Sequence, residues 1–378
     1  MQIVVTGIGF RSAFGDLDRT WQGLMNDRTA IKLHQPFADL PPLPQALLDK
    51  QPQQILDLTR TVVAAAVADA GLSLPLPDCG VAIGSSRSCQ SEWERFAATP
   101  ASQRDLTNWL NTLPQSPAIA TARYIGSRSA LLAPMAACVT GIWSIAQAVN
   151  LIRSGACGRA IAGAVEAPIT PLTIAGFTQM GALATSGCYP FDLRREGLVL
   201  GEAGAVFMLE TADLARSRGA KIYGEILEFG LTNDAYHMCA MAETGTAAHR
   251  AILQCLDRSK LVPTDIDYIH AHGTSTLLND RRESNLIQQL CPAGVATSST
   301  KGATGHTLGA SGTVGIAICL QAIATQILPP CVGLKQPEFD LDLVMTPRPT
   351  TVNNLLCLGF GFGGQNAAIA LRKWEDRE

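Results

Sequence analysis

Short apolar strands alternate with helical patterns along this chain, and that alternation constrains its fold more than any other feature. In the first half, strands are predicted at 3–5, 81–83, 159–162 and 206–209, and helices at 56–70, 141–154 and 211–218. Strands separated by helices of this length are typical of βαβ units. We therefore expect an α/β protein with a largely parallel sheet. The polar, proline-dotted stretch 88–118 is predicted to be a surface insertion.

The second half repeats this order of elements in outline. Its predicted strands are 222–229, 268–270, 296–298, 355–358 and 367–371, and its predicted helices are 246–257, 280–290 and 308–324. No linker, charge block or low-complexity tract separates the halves. We therefore predict one compact unit made of two pseudo-repeats, 1–215 and 216–378.

Composition narrows the class of partner and the compartment. Of the 378 residues, 47% are hydrophobic and the net charge is −3, so no basic field favours nucleic acid or an anionic membrane. The 11 cysteines form no Cys-x-x-Cys pair, which favours reduced thiols over disulfides or a zinc site. The start does not resemble a signal peptide, and no apolar run approaches the ~20 residues of a membrane span. These features predict a cytoplasmic protein.

Cys138 is the leading candidate for a reactive residue. It lies in Met-Ala-Ala-Cys-Val-Thr-Gly, directly before the helix predicted at 141–154. A cysteine at a helix start is close to unpaired backbone N–H groups and to the positive end of the helix dipole, and both favour the thiolate. The alternative is a small buried hydrophobe, as most free cysteines are.

Two glycine-rich segments after the cysteine carry histidines. Segment 271–276 reads Ala-His-Gly-Thr-Ser-Thr and follows a predicted strand, so His272 can reach into a cleft. Its alternative is a histidine that caps a turn. Segment 299–306 places Lys301 and His306 five positions apart around a tight turn. Its alternative is a solvated lysine with a turn histidine.

A third segment, 359–366, has the sequence Gly-Phe-Gly-Phe-Gly-Gly-Gln-Asn. Four glycines in six residues let the backbone approach a ligand closely. The alternative is a bulge or a corner of a sheet. The segment lacks the Gly-x-Gly-x-x-Gly spacing of a nucleotide-binding loop.

Taken in this order, the motifs resemble those of the β-ketoacyl-acyl carrier protein synthases, the condensing enzymes of fatty acid and polyketide synthesis. The resemblance covers nearly the whole chain. The matching segments are 3–9, 136–141, 190–192 (Pro-Phe-Asp), 197–202, 234–238, the two histidine motifs and 361–364.

The resemblance implies a thiolase-like fold, with two related halves in five layers (αβαβα), and a tight dimer. It also implies a subclass. A Cys-His-His set is the pattern of the elongating synthases, whereas initiating synthases carry Cys-His-Asn and plain thiolases carry a second cysteine. His306 therefore places the chain with the elongating enzymes.

The resemblance also assigns roles to individual residues. Cys138 would hold the acyl chain as a thioester, and the backbone N–H groups of Cys138 and Phe362 would stabilise the oxyanion. His272 and His306 would donate hydrogen bonds to the enolate formed by decarboxylation of a malonyl thioester. Removing one such donor typically costs ~10²–10³ in rate.

Further residues would support this set. Lys301 would act electrostatically on the histidines and pair with a carboxylate, for which Glu283 is at the matching position. Thr274 and Thr276 match threonines that bind the pantetheine arm, and Phe362 also matches a gate to the acyl tunnel. No metal or redox cofactor is implied, because the phosphopantetheine belongs to the acyl carrier protein.

Four departures from the family pattern bear on the carrier protein and the chain length rather than on the chemistry. The loop 184–188 is short, and 47–58 lacks most of the basic residues used for carrier docking, with only Lys50 and Arg60 nearby. Gly315 replaces a glutamate that is usual in the fatty-acid enzymes, and Gln365 replaces a threonine.

The predicted activity is therefore that of a 3-oxoacyl-[acyl-carrier-protein] synthase in fatty acid-type elongation. Its partners would be acyl carrier protein, malonyl and acyl thioesters, and a second subunit, in a homodimer or in a heterodimer with a related synthase-like subunit. One alternative is a ketosynthase of a specialised polyketide or polyene pathway, in a heterodimer with a chain-length-factor-like partner. Another is a non-catalytic subunit that shapes a partner's tunnel. Such subunits usually lack the cysteine, whereas Cys138 is present here.

Overall fold

The computed structural model describes residues 1–239 and 242–375. Its α-helices are α1 (Leu17–Met25), α2 (Ile55–Asp69), α3 (Gln90–Ala98), α4 (Ser116–Ile125), α5 (Thr140–Arg153), α6 (Pro171–Gln179), α7 (Ala212–Ser217), α8 (Thr246–Ser259), α9 (Leu277–Leu290), α10 (Lys301–Thr304) and α11 (Ser311–Thr325). Its strands are β1 (Ile3–Arg11), β2 (Lys32–His34), β3 (Leu43–Ala46), β4 (Cys79–Gly84), β5 (Leu131–Leu132), β6 (Arg159–Glu166), β7 (Leu200–Gly201), β8 (Ala203–Thr211), β9 (Gly224–Asn233), β10 (Tyr268–His270), β11 (Ala296–Ser298), β12 (Ile327–Leu328), β13 (Arg348–Pro349), β14 (Asn354–Gly361) and β15 (Gln365–Arg372).

The main sheet has ten strands in the order β11-β10-β14-β15-β9-β1-β8-β6-β4-β5. The expectation of a largely parallel sheet is wrong. Pairing is parallel only toward the two ends, and it is antiparallel from β14 to β6. Antiparallel neighbours need no crossover helix, so a glycine-rich turn is enough to join β14 to β15. The alternation of strands and helices therefore identified the elements but not their direction.

The three largest apolar clusters among the described residues lie between the five layers of the molecule. The central core packs α5 and α11 between the two halves of the sheet. A second core lies between α2, α4 and the strands of the N-terminal half, and a third between α8, α9 and the strands of the C-terminal half. This is the αβαβα arrangement, and it places the starts of both central helices at the boundary between the halves.

Close backbone contact holds the two central helices together. A Cβ atom added at Gly141 of α5 would lie 2.9 Å from the backbone nitrogen of Thr313 in α11, so the helices can meet this closely only with glycine there. The stretch Leu308–Thr325 is apolar and long enough to cross a membrane by length and composition, but 83% of it is buried inside the protein. Its apolar character is that of a core helix.

Candidate active site

Cys138 lies at a sharp bend that leads into α5. The bend is a 3-10 turn, Ala137–Val139, and Ala137 has a φ of +46°. The Thr140 hydroxyl stabilises the bend by donating to the Ala137 carbonyl at 2.7 Å and accepting from the Ala136 N–H at 2.8 Å. Short side chains before the cysteine fit this geometry, which aims the sulfur at the C-terminal half of the molecule.

The two histidines come from that other half and meet the cysteine. His272 follows β10, and His306 follows α10. Their ring centroids are 5.3 Å apart at an angle of 84°. The ligand atoms of Cys138, His272 and His306 all lie within 4.8 Å of one another. The structure thus brings together three residues separated by up to 168 positions in the chain.

Lys301 and Glu283 both bind the backbone at His272. The Lys301 ammonium donates to the His272 carbonyl oxygen. The Glu283 carboxylate accepts from the His272 N–H at 2.6 Å and from the Gly273 N–H at 2.7 Å. Within the described residues, no ion pair of 4.0 Å or less joins Lys301 to Glu283, so the expected direct pairing is replaced by a clamp on one peptide segment. Burial raises the pKa of Glu283 to about 7.

The electrostatics of Cys138 differ from the expectation of a stable thiolate. Burial raises the pKa of the Cys138 thiol to about 11, against the opposing effects of Lys301, Arg87 and the Phe362 backbone N–H. Desolvation disfavours the charged form of a thiol, and here it outweighs the helix start. The sulfur is therefore protonated at neutral pH and has to lose its proton as it reacts.

Both histidines are uncharged at neutral pH. Burial, together with the positive charge of Lys301, moves the pKa of His272 and of His306 well below the usual range. His306 Nδ1 is hydrogen-bonded to the Ser311 hydroxyl at 2.8 Å, which fixes the orientation of that ring. A neutral imidazole can accept a proton at one nitrogen and donate at the other.

The same three side chains could also hold a metal ion. One thiolate and two imidazoles are a donor set suited to Zn²⁺, and their ligand atoms are close enough to meet at one point. Binding would require the Cys138 proton to leave, and its raised pKa opposes this. The geometry therefore permits metal binding, whereas the protonated thiol opposes it.

A cavity of about 410 Å³ leads to the three side chains. Thr274 and Thr276 line it, with their hydroxyl oxygens 2.9 Å apart. Leu277 and Leu278 lie along its edge and are largely exposed. The cavity therefore combines a polar pair with apolar walls, as a site for a long amphipathic arm requires.

Phe362 lines this cavity and also packs against an apolar cluster that includes Cys138. Its ring packs against Phe177 with centroids 5.9 Å apart. Next to it, Gly363 and Gly364 have φ values of +79° and +75°, a backbone conformation that favours glycine. A Cβ atom at Gly361 would lie only 3.2 Å from the Cys138 nitrogen. The glycines thus let the backbone on both sides of Phe362 pass close to Cys138.

Sequence reasoning missed three residues of the site: Ser311, Glu166 and Arg87. The buried Glu166 carboxylate accepts from the backbone N–H groups of Ser86, Arg87 and Gly309, which ties the His306 loop to the N-terminal half. Ser311 opens α11 among small residues, which was the one local signal for it. Glu166 and Arg87 lie at and after strand ends, and no motif marked them.

The sequence matches two family models. Residues 44–215 match "Beta-ketoacyl synthase, N-terminal domain", and residues 223–335 match "Beta-ketoacyl synthase, C-terminal domain".

Among curated proteins, 3-oxoacyl-[acyl-carrier-protein] synthase 2 of Synechocystis sp. is 39% identical over 68% of this chain and 64% of its own length. The synthase 2 of Rhizobium meliloti is 38% identical over 63% of this chain and 59% of its own length. These two alignments thus cover less than two thirds of the relatives. Putative polyketide beta-ketoacyl synthase 1 of Streptomyces cyaneus is 30% identical over 98% of this chain and 97% of its own length.

The solved structures with a similar fold are also ketosynthases. A type II PKS acyl-carrier protein in complex with its ketosynthase, bound to the hexaketide, matches with a TM-score of 0.92 and 26% identity over 99% of each chain. The ishigamide ketosynthase/chain length factor matches with a TM-score of 0.90 and 25% identity over 99% of each chain. The predicted thiolase-like fold is thereby confirmed.

Proposed function

The chain belongs to the β-ketoacyl synthase family, and from this premise we propose that it is a 3-oxoacyl-[acyl-carrier-protein] synthase of the elongating type. The proposed reaction is the decarboxylative Claisen condensation of a malonyl thioester with an acyl group held on the enzyme. The observation that carries the proposal is the meeting of Cys138, His272 and His306 within 4.8 Å.

In the first step, the Cys138 sulfur attacks the carbonyl carbon of an acyl thioester. The thiol proton passes to a neutral imidazole, and from there to the departing pantetheine thiol, so the enzyme ends as an acyl thioester. The backbone N–H groups of Cys138 and Phe362 stabilise the oxyanion. The Phe362 N–H already lowers the pKa of the Cys138 thiol, which supports this role.

In the second step, the malonyl thioester loses CO₂ and becomes an enolate, whose carbon attacks the acyl carbonyl. The Cys138 thiolate leaves and takes up a proton from water, because its first proton departed with the pantetheine thiol. His272 and His306 donate N–H bonds to the enolate oxygen, and their lowered pKa values keep them neutral for this task. Lys301 and Glu283 are positioning residues, because they hold the backbone of His272.

The proposed partner is an acyl carrier protein, whose phosphopantetheine arm enters past Thr274 and Thr276. The reaction as proposed uses no metal or redox cofactor, and its setting is the cytoplasm. A homodimer and a heterodimer both fit the family. The second is supported by the similar structure of a ketosynthase with a chain length factor.

A second candidate is a ketosynthase dedicated to a polyketide or polyene pathway. The short loop 184–188 and Gly315 favour it. The chemistry at Cys138 is the same in both candidates, and they differ in the acyl chain and the partner subunit.

A condensation assay tests the proposal. Purified protein is incubated with malonyl-carrier protein and acyl-carrier proteins of graded length, and the carrier-bound products are identified by mass spectrometry. We expect a 3-oxoacyl product that is lost in Cys138→Ala and retained in Cys291→Ala, a buried cysteine of another core. No product and no acylated Cys138 would refute the proposal. Acylated Cys138 without product would point to a missing partner subunit or to a dedicated carrier protein.

A further inference from the structure

Cys138 lines the cavity proposed for the pantetheine arm and also belongs to an apolar cluster against which Phe362 packs. That cluster contains Phe177 and Ile174 of α6, together with Leu198 and Leu308. An acyl group attached to the sulfur and pointing away from the arm meets these side chains. We call these side chains the wall of the acyl site, and their composition therefore decides which acyl chains fit.

Arg87 puts a positive charge at this wall. Its guanidinium carbon lies 5.8 Å from the centroid of the Phe177 ring, and Phe177 in turn packs against Phe362 at 5.9 Å. The charge also reaches the nucleophile, because Arg87 lowers the pKa of the Cys138 thiol against the effect of burial. The backbone N–H of Arg87 donates to the Glu166 carboxylate, which fixes the point from which the Arg87 side chain extends.

The hydrogen-bonding capacity of Arg87 is incompletely used. Its Nε is shielded from solvent and has no hydrogen-bond partner, and no ion pair to Arg87 occurs within the described ranges 1–239 and 242–375. A shielded donor without a partner is costly. By contrast, Arg104, which also lies over a phenylalanine, donates its Nε to the Thr99 carbonyl.

We propose that Arg87 is a specificity-determining residue that binds oxygen atoms of the acyl chain held on Cys138. It selects chains bearing keto or carboxylate oxygens beyond the thioester over saturated hydrocarbon chains of the same length. A guanidinium offers several donors in a fixed fork, which suits carbonyl oxygens. An alkyl chain has no acceptor, so it would leave the donors of Arg87 without a partner. This inference rests on the proposed function and narrows its substrate class toward polyketide chains.

The test compares two thioesters of equal length, 5-oxohexanoyl-pantetheine and hexanoyl-pantetheine, in competition for Cys138. Intact-protein mass spectrometry gives the ratio of the two acyl-enzymes. We expect the wild type to prefer the oxo chain at least about tenfold, as a hydrogen bond to a charged group provides. Arg87→Leu should abolish or reverse the preference. Arg87→Lys should keep part of it, and Arg104→Leu should leave the ratio unchanged.

Three outcomes would overturn the inference in distinguishable ways. The same ratio in wild type and Arg87→Leu would show that Arg87 does not contact the chain. Equal slowing of both thioesters in Arg87→Leu, with a higher pKa for alkylation of Cys138, would show that it acts on the thiol alone. Failure of the wild type to accept either thioester would remove the proposed function itself, and this inference with it.

Discussion

At the scale of the residue, the two histidines determine how the site responds to pH. Burial and the charge of Lys301 hold the pKa of His272 and of His306 well below the usual range. Both rings therefore stay neutral as pH falls through 6.5, the usual midpoint of histidine. We predict that malonyl decarboxylation is as fast at pH 6.0 as at pH 7.5, measured as CO₂ release. A rate that halves near pH 6.5 would contradict this.

Ser311 gives a second residue-scale prediction. Its hydroxyl is the hydrogen-bond partner of His306 Nδ1, and loss of this bond frees the ring to rotate. From a net hydrogen-bond strength of about 0.5–1.5 kcal/mol, Ser311→Ala should lower kcat roughly 2- to 12-fold and leave Cys138 acylation nearly unchanged. Ser284→Ala is the matched control, since Ser284 is also buried and, among the described residues, its hydroxyl donates to a helix carbonyl and to no histidine. Equal loss of activity in both variants would argue against the role of Ser311.

The sequence was sufficient to predict those site residues that lie in distinctive local motifs. Cys138, His272 and His306 each sit among small residues that place them at a turn. Glu166 has no such motif, because its role arises only when Ser86 and Gly309, 80 and 143 positions away, meet it in the fold. The protonation state of Cys138 could not be predicted from the sequence either, because it depends on how deeply the fold buries the sulfur.

At the scale of the element, α11 approaches β10 and β14 through Gly315. A Cβ atom at Gly315 would lie 2.8 Å from both the Cys357 sulfur and His270 Nδ1. Gly315→Ala should therefore destabilise the protein by about 1–3 kcal/mol, as overpacking of a core does. The measurement is urea unfolding followed by circular dichroism.

Gly176→Ala provides the control for that experiment. Gly176 also lies in a helix, α6, but a Cβ atom there would meet nothing within 4 Å. This substitution should be neutral or should stabilise by about 0.4–1 kcal/mol, because alanine restricts the unfolded chain. If Gly315→Ala were equally well tolerated, the close approach of α11 to the sheet would be refuted.

The limits of local sequence information are also visible in the elements. Strands β10 and β11 have their predicted bounds, because short apolar runs between polar turns define them. Helix α1 and the two-residue strands were not predicted. Leu17, Trp21, Leu24 and Met25 of α1 do follow the spacing of an amphipathic helix, so this helix could have been predicted from its apolar period. Strand direction depends on partners that are distant in sequence, so the antiparallel centre of the sheet could not be inferred from alternation.

At the scale of the whole molecule, buried carboxyl groups couple stability to pH. Burial raises the pKa of Glu202 and of Glu283 to about 7, above the ordinary 4.5. These groups favour folding fully below pH 4.5, and that contribution is lost as pH rises to about 7. We predict that their contribution to the free energy of unfolding declines between pH 5 and pH 7.5, measured by denaturant titration.

Substitution of one of these groups tests the assignment. Glu202 accepts from the backbone N–H groups of Leu48 and Gln53, so Glu202→Gln should lower stability overall and flatten its dependence on pH. Glu196→Gln is the control. The pKa of Glu196 is lowered, so its contribution is lost only as pH falls through the acid range. An unchanged slope in Glu202→Gln would assign the pH dependence to other groups.

Strand β1 has a consequence for how the protein is made. Residues 3–5 pair on one side with the end of β8 at 209–211 and on the other with the start of β9 at 224–226. A ribosome working at about 5–20 residues per second needs roughly 10–40 s to synthesise those partners. During that interval the strand Ile-Val-Val at 3–5 has neither of its native strand partners. Residues 3–5 therefore wait for strand partners that lie more than 200 positions later in the chain, and the strand is exposed to aggregation until those partners follow.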